Sequence, residues 1–212
     1  MATYDLEEQE KLIQLKDWWK RYGNLTLTTV ALALFVIAGV RYWASHKQNQ
    51  SAEAGTVYLE VVRAAETGDL KKVADAGGTL LEKYPGTVYA SLGAFVSAKA
   101  HFDSGDLKTA QAQLQWVADK GSDPALQSVA RLRLVQVLID QRAYDEALKV
   151  LDAKHAPSFE VRFFEARGDV FAEQGKKAEA RQAYQAALEK MGTNEKLGRD
   201  LLQMKLDVLG PA

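Results

Sequence analysis

Residues 25–40, LTLTTVALALFVIAGV, most constrain what this chain can fold into. The run contains no charged residue and no proline. A bilayer core of roughly 30 Å requires about 20 helical residues, with ~17 as the lower end. The run alone is slightly short, but aromatic residues on both sides extend it. The sequence therefore predicts a single transmembrane helix over residues 22–43.

Amphipathic side chains lie at both ends of this segment, as expected at the two membrane–water interfaces. An arginine there can extend its charged end toward the headgroups. The predicted interface anchors are Trp18, Trp19, Tyr22, Arg41, Tyr42 and Trp43. The threonines of the run are compatible with a span, because each hydroxyl can bond to a carbonyl three or four residues earlier.

Two alternatives to a membrane span are a buried helix of a soluble core and a cleaved signal peptide. Charged residues bracket the run closely, which disfavours a core helix. Signal peptides begin with a short basic region and have apolar regions of about 7–15 residues. Here a long segment precedes the run, and Arg41-Tyr42-Trp43 occupies the place of a cleavage site. We interpret the segment as an uncleaved signal anchor.

The distribution of basic residues predicts the orientation of the anchor. Basic residues are more frequent on the cytoplasmic side of a span. The residues before the span include Lys11, Lys16, Lys20 and Arg21. On the other side Arg41 lies at the end of the apolar run and Lys47 follows, and the next basic residue is Arg63. We therefore expect residues 1–21 in the cytoplasm and the large C-terminal part on the other side of the membrane.

Composition argues against several classes of function. The net charge is −1, without the basic stripe that nucleic-acid binding requires. Cysteine is absent, which removes thiol catalysis and zinc–thiolate sites. The three histidines, His46, His101 and His155, lack metal-ligand spacing, and the sequence has no phosphate-binding loop. We expect no cofactor, no metal and no catalytic site, which indicates that the protein is not an enzyme.

The part after the anchor repeats a short helix-breaking pattern. The repeats begin at Gly68, Gly105, Arg142 and Gly175, with spacings of 37, 37 and 33 residues. A period near 34 with paired helices is typical of tetratricopeptide repeats. The sequence thus predicts an all-α chain, in which a single N-terminal transmembrane helix is followed by a tetratricopeptide-like helical-hairpin solenoid. Residues 44–66 would form a stalk or first helix, and residues 67–212 the repeat domain.

The last repeat matches the tetratricopeptide pattern best. Its small, aromatic and turn positions are Gly168, Phe171, Gly175, Ala180, Tyr184 and Ala187. Small residues let two helices approach closely, and the aromatics fill the space between pairs. The earlier repeats are degenerate, with Leu114, Leu151 and Gly77 at the place of Tyr184. Residues 192–209 are expected to form a capping helix.

The first helix of each pair should line a concave surface. The repeat pattern places there Leu92, Phe95, Lys99, Phe102, Val129, Leu132, Gln136, Ile139, Arg162, Glu165 and Asp169. These residues would form an apolar trough with a charged end, suited to an extended or helical protein segment. The alternative is that the apolar members are core between repeats. On the trough interpretation, changing Phe95 and Phe102 to serine should weaken binding and leave stability nearly intact.

Four segments resemble the YfgM-type family of ancillary SecYEG translocon subunits in Gram-negative inner membranes. They are residues 15–19 (LKDWW), 41–46 (RYWASH), 167–184 and 203–206 (QMKL). The resemblance implies one membrane helix, a cytoplasmic N-terminus and a periplasmic tetratricopeptide-like domain. It also implies association with the SecYEG translocon and with PpiD, a membrane-anchored periplasmic chaperone. Transfer of exported client proteins to periplasmic chaperones, and a cytoplasmic regulator at the N-terminal segment, are further implications.

The leading hypothesis is therefore an anchored adaptor at the translocon. The runner-up is a structural scaffold of an envelope complex for division or secretion, which would use the same anchor and repeats. An enzyme would need a polar cleft with converging titratable groups.

Overall fold

The computed structural model describes residues 2–192 and 195–210, and divides the chain into two compact units, residues 1–49 and 50–212. Regular structure in the described ranges is helical. The helices are α1 (Ala2–Glu66), α2 (Leu70–Lys83), α3 (Val88–Asp103), α4 (Leu107–Lys120), α5 (Pro124–Asp140), α6 (Tyr144–Leu151), α7 (Glu160–Glu173), α8 (Lys177–Lys190) and α9 (Lys196–Val208). A short 3-10 helix, Pro157–Phe159, precedes α7. The fold is the all-α architecture that the repeat pattern predicts.

The first unit consists of the N-terminal part of α1. This helix is long and apolar enough to cross a membrane. Its apolar side chains are exposed, and the exposed fraction of Phe35 is 78%. The hydroxyls of Thr26 and Thr29 donate to the carbonyls of Tyr22 and Leu25 at 2.9 and 2.8 Å, and Thr28 donates to Asn24. These bonds confirm the prediction that the threonine hydroxyls bond to backbone carbonyls of the preceding turn.

The second unit consists of antiparallel helical hairpins that pack against their neighbours in chain order. The last part of α1 pairs with α2, because Val61 of α1 shares a buried cluster with Val73 and Leu80 of α2. The following pairs are α3 with α4, α5 with α6, and α7 with α8, and α9 packs on α8. The capping helix lies within the predicted residues 192–209, of which 193 and 194 lie outside the described residues.

Each hairpin turns at a residue in the left-handed region. The φ angles are +71° at Gly68, +85° at Gly105, +59° at Arg142 and +74° at Gly175. At Gly105 the backbone N–H donates to the carbonyl of Phe102, and the next N–H, of Asp106, donates to that of His101. The other three turns repeat this pair of bonds, which is the Schellman arrangement that ends a helix. The four recurring breaks in the sequence therefore form turns of the same geometry.

The second helix of every pair buries the same two positions. The residues five positions after each turn are fully buried, namely Val73, Ala110, Ala147 and Ala180. The residues nine positions after each turn are also buried, namely Gly77, Leu114, Leu151 and Tyr184. The predicted repeat register is correct in all four pairs, including the degenerate ones.

Candidate binding groove

Three adjoining cavities follow the first helices of the four pairs, and we call them together the groove. The cavity between α1 and α3 has a volume of about 450 Å³, that between α3 and α5 about 440 Å³, and that between α5 and α7 about 310 Å³. Neighbouring cavities share residues, since Phe95 and Lys99 line the first two and Gln136 lines the last two. Arg133 lines all three. The second unit thus presents one continuous surface across four helices.

The middle cavity is apolar with a basic edge. Its walls are Phe95, Ala98, Lys99, Phe102, Leu114, Arg133, Gln136 and Val137. Both of its charged residues, Lys99 and Arg133, are basic. Lys99 pairs with Asp103 one turn later on α3. The guanidinium of Arg133 lies over the ring of Phe95, with its carbon 4.7 Å from the ring centre.

The structure brings most of the predicted trough together. The residues that line the two cavities flanking α5 are Phe95, Lys99, Phe102, Val129, Leu132, Gln136, Arg162, Glu165 and Asp169. Leu92 and Ile139 do not line these cavities. Both are half-buried and pack against the central core cluster, which fits the alternative interpretation, core between repeats. Three residues that do line the cavities also pack against this cluster, namely Phe102, Val129 and Leu132.

Phe95 combines the two roles that the sequence analysis gave as alternatives, trough wall and core between repeats. Its side chain is 8% exposed and belongs to the central core cluster. Phe102 is half-buried against the same cluster. The ring of Phe95 is therefore the floor of the groove and part of the core at once. Because of this burial we expect serine at Phe95 to lower stability, whereas the trough interpretation alone expected stability to stay nearly intact.

The charged end of the groove is a hydrogen-bonded network that ties the capping helix to the last repeat. The ammonium of Lys205 on α9 donates to Glu165 Oε1 at 2.9 Å and to Asp169 Oδ1 at 2.6 Å. Arg162 donates to the other oxygen of Glu165 at 2.8 Å. The hydroxyl of Tyr184 donates to Asp169 Oδ1 at 2.8 Å. The acidic groups at this end are therefore already paired within the chain.

Burial and pairing act against each other on the pKa values of Glu165 and Lys205. Burial would raise the pKa of the Glu165 carboxyl, but the ammonium of Lys205 and the guanidinium of Arg162 outweigh it and hold the pKa below its ordinary value. Burial would lower the pKa of Lys205, but Asp169 and Glu165 hold it above its ordinary value. Burial and the bond to Asp169 raise the pKa of Tyr184. At neutral pH the network is therefore ionised at Lys205 and Glu165 and neutral at Tyr184.

The sequence analysis missed one residue that lines the groove, Arg133, and one that completes the network at its charged end, Lys205. Arg133 lies one position after Leu132 and continues the helical stripe of Val129 and Gln136, so a wider stripe would have included it. Lys205 reaches Glu165 and Asp169 from a helix more than 30 residues away in the chain. No local spacing indicates such a contact.

The predicted interface anchors lie on the first unit with their side chains exposed. Trp18 packs near Trp19 and Tyr22, with ring centres 6.3 and 6.0 Å apart. At the other end Tyr42 and Trp43 are exposed, and the Lys47 ammonium lies 4.9 Å from the Trp43 ring centre. Arg41, also exposed, completes the set. The two aromatic groups flank the apolar run on one helix.

Residues 2–192 and 195–210 contain no group of three or more histidine, aspartate or glutamate side chains placed to hold a metal ion. His101 is buried at the end of α3, and His155 stacks on Phe163 with ring centres 4.0 Å apart. Both rings are thus packed against the helical domain.

Residues 16–211 match the family model described as a tetratricopeptide repeat-like domain. A relative from Neisseria gonorrhoeae, named ancillary SecYEG translocon subunit, is 34% identical over 210 residues, which cover 99% of this chain and 100% of the relative. The chain belongs to the YfgM-type family. Two further family members carry the same name. One, from Haemophilus influenzae, is 28% identical over 207 residues, covering 98% of this chain and all of the relative. The other, from Escherichia coli, is 28% identical over 209 residues, covering 99% of both chains.

No solved structure matches this chain. The three relatives extend the assignment well beyond the repeats, because they align from end to end, with the apolar N-terminal segment included.

Proposed function

We propose that the protein is an inner-membrane adaptor of the SecYEG translocon, with a cytoplasmic N-terminus and a periplasmic repeat domain. The observation that carries this proposal is the end-to-end match to three relatives that are each named ancillary SecYEG translocon subunit. A match restricted to the repeats would indicate only a generic binding domain, since tetratricopeptide-like folds serve many partners.

The first unit supports the proposed topology. Residues 22–43 are 22 residues of helix, which at 1.5 Å per residue span about 33 Å and fit a hydrocarbon core of roughly 30 Å. The exposed rings of Trp18 and Trp43 would lie at the two interfaces. The excess of basic residues before the span favours a cytoplasmic N-terminus.

The groove is the proposed binding surface for protein partners. Its apolar walls and its length across four helices suit an extended or helical segment, either of a PpiD-like periplasmic chaperone or of an exported client. The function is binding rather than catalysis, and assists the passage of exported proteins to periplasmic chaperones. Residues 1–21 would remain available for a cytoplasmic regulator.

Purification of the tagged full chain from membranes in mild detergent tests the proposal. SecYEG and a PpiD-like chaperone should be recovered with it. A matched control replaces residues 22–43 by an unrelated transmembrane helix and keeps the rest of the chain. Retention of SecYEG by this control assigns the contact to the exported domain or to the N-terminal segment, and its loss assigns the contact to the membrane helix. Recovery of division or cell-wall proteins in place of SecYEG would contradict the adaptor and favour the envelope scaffold.

A further inference from the structure

We propose that the groove selects polypeptide segments in which an acidic residue neighbours a bulky apolar one. In this proposal Arg133 binds the acidic side chain. This inference rests on the proposed function, since it specifies the segment that the groove of the adaptor would bind. Three features of the groove lead to it, namely the charge of Arg133, the apolar walls beside it and the continuity of the three cavities.

Arg133 lies at the centre of the groove without a counter-ion. It is exposed and lines all three cavities. Within residues 2–192 and 195–210, no carboxylate oxygen lies within 4 Å of its guanidinium, whereas Lys99, Arg162 and Lys205 each pair with an acid of the chain. Among the described basic residues that line the groove, Arg133 is thus the one without an ion pair to an acidic side chain.

The guanidinium of Arg133 is also held in place. It lies over the Phe95 ring, which is fixed in the core, at 4.7 Å from the ring centre. A guanidinium stacked on an aromatic ring keeps the N–H groups of its edge free for a carboxylate, which it binds with two parallel hydrogen bonds. Because Phe95 limits the freedom of the side chain, less conformational entropy is lost when a ligand binds.

The apolar walls beside Arg133 determine which kind of side chain must neighbour the acidic residue of the ligand. The middle cavity is lined by Phe102, Leu114 and Val137 in addition to Phe95, and its volume of about 440 Å³ is within the range of ligand sites. No acidic residue lines this cavity. An apolar side chain can therefore enter it while an adjacent carboxylate reaches Arg133, and a basic residue at the same place would meet two cations.

A polypeptide fits the groove better than a single acyl chain with a carboxylate, although both combine apolar and acidic groups. The cavities on either side of the middle one continue along α1 and α7 and end at polar groups, Glu66 and Asp103 on one side and the Lys205 network on the other. A polypeptide offers side chains and backbone groups at intervals along this path. An acyl chain has no polar groups along its length to meet the two polar ends.

Binding of synthetic peptides to the full chain in lipid nanodiscs, followed by fluorescence anisotropy, tests the inference. Three short peptides share one label and one alanine–serine background, and differ in a central Leu-Glu-Phe, Leu-Gln-Phe or Leu-Lys-Phe triplet. The glutamate peptide should bind about tenfold more tightly than the glutamine peptide, as expected for a hydrogen-bonded charge pair. In R133Q this difference should vanish, and in R133E the preference should change to the lysine peptide.

Two control variants separate the role of Arg133 from general effects. K108E makes the same change in net charge as R133E at an exposed position of α4 outside the groove, and should keep the preference for glutamate. R131Q alters a second arginine of α5, whose guanidinium donates to the carbonyls of Ala118 and Lys154 at 2.6 and 2.9 Å. It should lower stability and also keep the preference.

Equal binding of the three peptides by the parent chain, or a preference for glutamate that survives in R133Q, would overturn the inference while the groove remains a peptide site. Displacement of the glutamate peptide by decanoate at a lower concentration than by its own unlabelled form would assign the site to an acyl chain. Absence of binding by all three peptides up to millimolar concentration would also overturn the inference. Co-purification of SecYEG with the same preparation then decides separately whether the proposed function stands.

Discussion

Replacing Arg142 by glycine should stabilise the helical domain, although the side chain that is lost is a charged one on the surface. Arg142 turns the third hairpin with φ of +59°, where the other three hairpins have glycine. A Cβ in this region lies too close to the following carbonyl oxygen, whereas glycine has no such conflict. The Arg142 side chain is exposed, and the described residues show no ion pair to it. The substitution therefore acts through the backbone alone.

The size of the effect follows from two opposing contributions. The left-handed conformation costs a residue with a Cβ roughly 1–2 kcal/mol. Glycine loses about 0.4–1 kcal/mol more than other residues through the conformational freedom of the unfolded chain. The net gain should be about 0.5–1 kcal/mol. For a domain of this size, about 2–4 °C per kcal/mol corresponds to a rise in Tm of about 1–4 °C.

Thermal and urea unfolding of a fragment of residues 50–212 provides the assay, since the three core clusters run from Ala54 to Leu209. R142A is the matched control, because it removes the same side chain and keeps a Cβ. Its free energy of unfolding should lie within about 0.5 kcal/mol of the parent. G105A, at the equivalent turn, should lose about 1 kcal/mol. The reasoning fails if R142G is no more stable than R142A.

Three further substitutions test the packing around the groove in the same unfolding assay. A Cβ at Gly168 would lie 2.3 Å from the Tyr184 ring, so G168A should cost about 1–3 kcal/mol, and an unchanged Tm would contradict this contact. F95S should cost about 3–5 kcal/mol, because it empties a core position, and a loss below about 1 kcal/mol would place the ring outside the core. K205M leaves Glu165 half-buried without its ammonium and should cost about 1–3 kcal/mol. Since the folded pKa of Glu165 is lowered, its stabilisation is present above the unfolded value of about 4.3 and is lost as the pH falls. That loss at acid pH should be smaller in K205M than in the parent.

The repeat architecture could be predicted because its determinants are local. Each hairpin is marked by a turn residue and by small or apolar residues five and nine positions later, and these positions fall where the structure buries them. Even the third repeat follows the pattern, although Arg142 replaces the glycine. Position in the repeat, rather than residue type, was the dependable guide.

The groove could be predicted only in outline. Helical periodicity brought Phe95 and Gln136 to one surface, but it could not separate a ring that faces solvent from one that is the floor of a cavity. That distinction depends on how closely the first helices of neighbouring pairs approach. The contact of Lys205 with Asp169 depends on the placement of the capping helix on α8, which sequence spacing does not specify.

The central claim is an anchored chain whose groove lies outside the cytoplasm. The accessibility of single cysteines placed on opposite sides of the apolar run tests it most directly. The chain has no cysteine, so single substitutions report without background. Glu10 precedes the run and Ala112 lies on α4, both exposed. In intact spheroplasts a membrane-impermeant maleimide should label A112C, and E10C only after lysis. Labelling of E10C in intact spheroplasts, or protection of A112C, would contradict the account.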